Sequence, residues 1–178
     1  MRFKSWEYLP KSHLEQLSKE LNEVFYRDLN NLDTSKITSD IFIDPIYKNF
    51  EKELKKIPER WDSIPIMKES IEKMANRLGF VKGQSVDYRL GTKVKGIYDK
   101  IGFNVQFGNK AFFQVDLVNF QHLYNRNLID EVLYVCLSKE AEQQSYSSSL
   151  VNLDKCINIC KVFDGIFTFP IYFIEIQR

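Results

Sequence analysis

The chain has almost no excess of charge of either sign: 25 Lys and Arg against 24 Asp and Glu leave +1 with histidine neutral. Any affinity for a polyanion must therefore come from a local patch, because the net field is weak. Histidine is scarce, with only His13 and His122, so a zinc site is poorly supplied. The three cysteines are an odd count without framework spacing. Cys136 lies in the apolar run VLYVCL, and Cys156 and Cys160 are four apart in a predicted helix. They read as core thiols in a reducing cytoplasm. No apolar run approaches the ~18 residues that would span a membrane. The N-terminal MRFKSWEYLPKSH has no apolar h-region, and a signal peptide is not expected.

What is present is core material. Hydrophobic residues make up 44% of the 178, and aromatics 14%, which argues against disorder and suits one domain over residues 1–178. The capping box Ser12-His-Leu-Glu15 and the apolar spacing behind it predict a helix from about Ser12 to Tyr26. Asp44-Pro45 opens a second helix, with Ile46, Tyr47, Phe50 and Leu54 as its stripe and Pro58 as its stop. A third follows Pro65 and stops at Gly79. After that the pattern changes. VDYRLGTKVKGIY reads as short strands, GFNVQF as a strand, Gly108-Asn109 as a turn, and Lys110 to about Tyr124 as a helix. VLYVCL is a buried strand, Leu150 to Val162 is helical, and Pro170 opens a last strand, IYFIEI. SYSSSL, residues 145–150, is a short polar loop.

Within GFNVQF, Phe103, Val105 and Phe107 share one face and Asn104 and Gln106 the other. Lys93, Lys95 and Lys100 crowd around these amides in sequence, with Lys110 just beyond. Ammonium groups beside directional amides suit a phosphate backbone. They equally suit a solvated strand edge guarded by lysine. The hydroxyls of SYSSSL are open to the same two readings: contacts to base edges, or a solvated turn.

Several pieces in order resemble a known family: IFIDPIYKNFEKELKKIPERWDSIPI; LGT at 90–92, followed fourteen residues after its leucine by NVQFGN at 104–109; NKAFFQVDLVNFQHLYNRNLIDEVLYV; and SSSL, a helix and FPIYFIEI. From about residue 35 to the C-terminus the chain resembles the BglII/BamHI-like group of type II restriction endonucleases. The resemblance implies an α/β restriction-endonuclease-like, PD-(D/E)XK fold: a mixed β-sheet core flanked by helices, with a helical N-terminal part. It implies a homodimer across double-stranded DNA, in the cytoplasm. It also implies an acid on the strand before GFNVQF and Glu-x-Gln or Glu-x-Glu on GFNVQF itself, where two acids hold Mg²⁺ and the ion activates a water for attack on phosphorus.

The chain departs from that pattern at both acids. The first falls on Lys95 and the second on Asn104; only Gln106 matches. An amide oxygen brings no charge, and a lysine repels a divalent ion; at ~4 Å and an effective dielectric near 20, a unit pair is worth about 4 kcal/mol. Asp99, four residues after Lys95, is the candidate for a migrated acid, with Asp99 and Gln106 as the metal ligands if there are any. Asp87 reads as a strand-end charge and Asp116 as a first-turn helix acid. The resemblance sets Gly108 and Asn109 in a polar pair that touches bases, and Ser147 and Ser148 in a second base-reading loop; a GATC-containing target is its weakest implication.

The leading expectation is a duplex DNA-binding protein of this family with weakened or absent metal-dependent cleavage, acting alone or beside an active partner subunit. The alternative is an active type II deoxyribonuclease using Asp99, Asn104 and Gln106 with Mg²⁺. A third reading, from another class, is a protein-interaction domain with no DNA partner.

Overall fold

The three apolar stretches expected as strands lie side by side at the centre of one sheet. The computed structural model describes residues 2–10, 45–57, 64–80, 96–98, 100–144 and 150–177. Its elements, in chain order, are β1 (Arg2–Tyr8), α1 (Pro45–Leu54), α2 (Ile64–Arg77), β2 (Gly96–Tyr98), β3 (Ile101–Val105), α3 (Lys110–Asn125), β4 (Glu131–Leu137), α4 (Lys139–Gln143), α5 (Leu153–Val162) and β5 (Ile171–Gln177). The sheet order is β1-β5-β4-β3-β2. The β3–β4 and β4–β5 pairs are parallel, and antiparallel strands close both edges. The parallel centre follows from the β-helix-β order, since parallel neighbours need a crossover long enough to hold a helix.

Alternation along the strands divides the core. Leu133, Val135 and Leu137 of β4 pack with Phe103, Val105 and the α1–α2 residues Phe50, Leu54, Ile71 and Met74. Val132, Tyr134 and Cys136 face the other way, onto Phe113, Leu117 and Phe120 of α3 and Cys156 and Cys160 of α5. A strand buried on both faces reads as a continuous apolar run, as VLYVCL does. All three cysteines are buried and free. Burial pushes the Cys160 thiol up to about 12 and Cys156 well above its ordinary range, so neither is a reactive thiolate at neutral pH.

Two expectations are corrected. Leu150 to Asn152 is extended rather than helical: Leu150 bridges Asn109, Asn152 bridges Leu137, and α5 begins only at Leu153. The strand β1 was not foreseen. RFKSWEY shows no clean alternation, and the strand is an edge whose residues are mostly exposed. The helix expected from Ser12 to Tyr26 lies outside the described residues, as does most of VDYRLGTKVKGIY. No helix among the described residues is long and apolar enough to cross a membrane.

Candidate nucleic-acid interface

The site expected from the sequence centres on β3 and the turn into α3. Gly102 lets these two elements close up: a Cβ there would stand 2.8 Å from a ring carbon of Phe120 on α3. The close approach covers the polar face of β3. Asn104 is only 2% exposed. It pairs in register with Tyr134 of β4, whose hydroxyl donates to Asp116 Oδ2 of α3 at 2.7 Å. Burial, with the Asp116 carboxylate beside it, holds the Tyr134 hydroxyl well above its ordinary pKa. Asn104 Oδ1 is buried without a hydrogen-bond partner among the described residues. An unmet buried acceptor costs about 1–3 kcal/mol.

Gln106 is half-buried and turned along the strand toward the loop. Its Oε1 accepts from Gly108 N–H at 3.0 Å, and a Cβ on residue 108 would stand 2.9 Å from that oxygen. A side chain at this position would displace the Gln106 amide from its bond to the turn. Asn109 is the N-cap of α3, its Oδ1 accepting from Ala111 N–H at 2.9 Å. Lys110 follows as the first residue of the helix and is exposed. A lysine opposes the positive end of a helix dipole unless an anion is near.

The far segment expected to read bases reaches the same turn. Val151 N–H donates to Gly108 O at 2.8 Å, and Leu150 forms its antiparallel bridge with Asn109. Residues 145–149, Ser147 and Ser148 among them, lie outside the described residues, as do Lys93, Lys95, Asp87 and Asp99. Of the expected lysine cluster, the described residues include Lys100 and Lys110. Lys100 sits before β3 with a left-handed φ of 61°, and its Nζ lies 3.4 Å from Asp130. At about 3.3 Å per residue, the length of β3 separates it from the Gly108 turn. Lys110 alone of the described lysines expected at the site stands at that turn.

Asn104 and Gln106 by themselves are a poor set for Mg²⁺, and Asp99, the expected charged ligand, lies outside the described residues. Magnesium binds oxygens of high charge density in a near-octahedral shell. Here one amide oxygen is engaged by Gly108 N–H, the other is sealed under α3, and neither carries charge. Among the described residues no group of three or more His, Cys, Asp and Glu side chains converges. Sequence reasoning missed the Glu142–Lys155 ion pair beside Leu150; its members are thirteen positions apart, and Glu142 lies in a short helix that carries no clear signal in the sequence.

The family model described as restriction endonuclease BglII/BglIII matches residues 11–176. No curated protein matches the chain. Among solved structures, the chain is similar to restriction endonuclease BglII complexed with a DNA 16-mer, at 13% identity and TM-score 0.67, over 98% of this chain and 76% of that one. It is also similar to free BglII, at 11% identity and TM-score 0.61, over 100% and 80% of the two chains. At such identities the structural likeness speaks for the fold, a five-stranded mixed sheet between helices, as the resemblance implied.

Proposed function

The chain belongs to the BglII/BglIII restriction endonuclease family, and from that premise we propose that it binds duplex DNA with metal-dependent cleavage weakened or absent. One observation carries the reading: the strand position where the family bears Glu is Asn104, an uncharged side chain buried under α3. Lys95, at the family's other acidic position, brings the wrong charge for a divalent cation.

The DNA-facing surface is the turn after β3. Lys110 places an ammonium at the positive end of α3, beside the exposed Asn109 that caps it. The same reading assigns base contacts to Ser147 and Ser148 and phosphate charge to Lys93 and Lys95. Phosphate contacts of this kind fix register, while small polar side chains read base edges.

The protein works as a homodimer. A second copy covers the groove formed by Val118 and His122 of α3 with Phe163 and Ile166 after α5. Val118 is 49% and Ile166 61% exposed, a run of apolar surface suited to a self-complementary two-fold contact. Because α3 starts at Lys110, that contact would fix two turns at a set spacing along one duplex.

The test of DNA binding is affinity for a random-sequence duplex across a salt series. A steep fall in affinity with salt is expected, because lysines release counterions. A flat series would reject DNA binding and favour the protein-interaction reading.

A further inference from the structure

The net charge of +1 conceals a separation of charge between the two ends of the sheet. The carboxyl ends of the parallel strands β3, β4 and β5 form one edge, and the start of β1 joins it, because Arg2 pairs with Gln177 and Lys4 with Glu175. Helix α1 runs toward the same edge. Its Tyr47 ring stacks at 4.4 Å on Tyr172, near the start of β5. Just past its end, Lys55 Nζ lies 5.8 Å from the ring centre of Phe3, which pairs with Ile176 near the finish of β5. Lys139 follows β4, and Lys110 follows the turn after β3. Arg2, Lys4, Lys55, Lys110 and Lys139 are all exposed there, and none forms an ion pair among the described residues.

The acids of this edge are largely taken up. Glu142 is paired with Lys155, and Glu175 is buried, with Trp6 Nε1 donating to it at 3.0 Å. Glu140 is exposed, and its carboxyl is held below its ordinary range by its own backbone N–H and by Ser138, with weaker pulls from Lys4 and Lys139. Those two ammonium groups therefore share one neighbourhood, although β1 and α4 bring them there separately. The opposite end of the sheet differs. Glu7 near the finish of β1, Asp130 and Glu131 at the start of β4 and Asp164 after α5 stand there, and Lys100 lies 3.4 Å from Asp130. Lysine on an edge strand alone would read as a guard against strand pairing. Lys55 and Lys139 lie outside the strands, so guarding one edge does not account for them.

We propose that the phosphate-binding surface continues past the turn after β3 as a cationic ledge along the carboxyl edge of the sheet, from Lys110 through Lys139 and Lys4 to Arg2 and Lys55, and that this ledge takes the backbone of the duplex flanking the turn. The inference rests on the DNA-binding reading and extends its contact surface. The spacing suits a duplex. Three strand gaps of about 4.8 Å separate β3 from β1, so the ledge runs about 14 Å. At about 3.4 Å per phosphate on one strand, that is room for about four phosphates. Neighbouring cations on the ledge stand within about one Debye length of each other, so their fields add where the backbone would lie. A chain that is neutral as a whole thereby presents one strongly positive edge.

The experiment compares two charge-matched double variants of the full chain. Lys4→Gln/Lys139→Gln removes two cations from the ledge. Arg126→Gln/Lys161→Gln removes two from the far ends of α3 and α5, and α3 alone carries Arg126 about 23 Å from Lys110. Affinity for a random-sequence duplex is measured across a salt series, with circular dichroism as the check on folding. The ledge variant is expected to lower the salt slope by about 2, and the distant variant to keep the slope of the unaltered chain. An unchanged slope in the ledge variant overturns the ledge and leaves the DNA reading standing. Equal falls in both variants overturn it as well, since overall charge and not position would then set the affinity. Should the ledge double lose its fold, Lys139→Gln alone carries the test, with a slope lower by about 1 expected and an unchanged slope overturning the proposal. Failure of the unaltered chain to bind any duplex overturns the DNA reading itself, and is seen before any variant is compared.

Discussion

Tyr134 of β4 donates its hydroxyl to Asp116 of α3 at 2.7 Å, beside the strand position occupied by Asn104. The bond gives a buried helix acid a partner and pins α3 over the polar face of β3. Removing it with Tyr134→Phe leaves Asp116 short of a buried donor. A loss of about 1–3 kcal/mol is expected in urea unfolding; no change would mean that this bond does not hold α3.

The same tyrosine sets a pH limit. Its folded-state pKa is raised well above 10.0, mainly by burial, and Tyr8 is raised to about 12, also mainly by burial. The folded form therefore keeps protons that the unfolded chain gives up. That contribution is complete below about pH 10, the ordinary tyrosine value, and is lost as pH rises beyond it. Thermal midpoints should fall above that pH, and fall less steeply in Tyr134→Phe.

Asn104 makes the opposite case, a buried acceptor with no partner among the described residues. Asn104→Leu should be neutral or stabilising by about 1 kcal/mol, since it deletes the unmet group. Asn104→Asp should destabilise by more than about 2 kcal/mol at neutral pH, because burial opposes the charge, and by less below about pH 4. Urea titrations at both pH values separate these outcomes.

The two lysines at opposite ends of β3 should behave differently. Lys110→Ala is expected to weaken DNA binding and lower the salt slope by about 1. Lys100→Ala should leave both unchanged, because its ammonium lies by Asp130 away from the turn. Equal effects from the two would contradict the placement of the interface.

Much of this was legible in the chain. Alternation located β3, continuous apolar character located β4, Pro170 marked the start of β5, and the Gly108-Asn109 turn marked the start of α3. Alternation sorted Asn104 from Phe103 correctly, but it names a face without saying what covers it. The closure of α3 over Asn104 depends on Gly102 lying under Phe120, a contact between distant positions. Nearness in sequence to Asn104 likewise does not tell that Lys100 stands at the far end of β3, beside Asp130. β1 escaped because an exposed edge strand has little reason to alternate. The Glu142–Lys155 pair had no local signal at all.

The central claim is that this scaffold holds DNA without cutting it, and digestion measures that directly. Long duplex DNA is incubated with the purified chain and Mg²⁺ or Mn²⁺, at protein concentrations where binding is seen. The DNA is expected to remain full length. Discrete fragments that vanish in Asp99→Ala would contradict the account and make the chain a nuclease with a relocated acid.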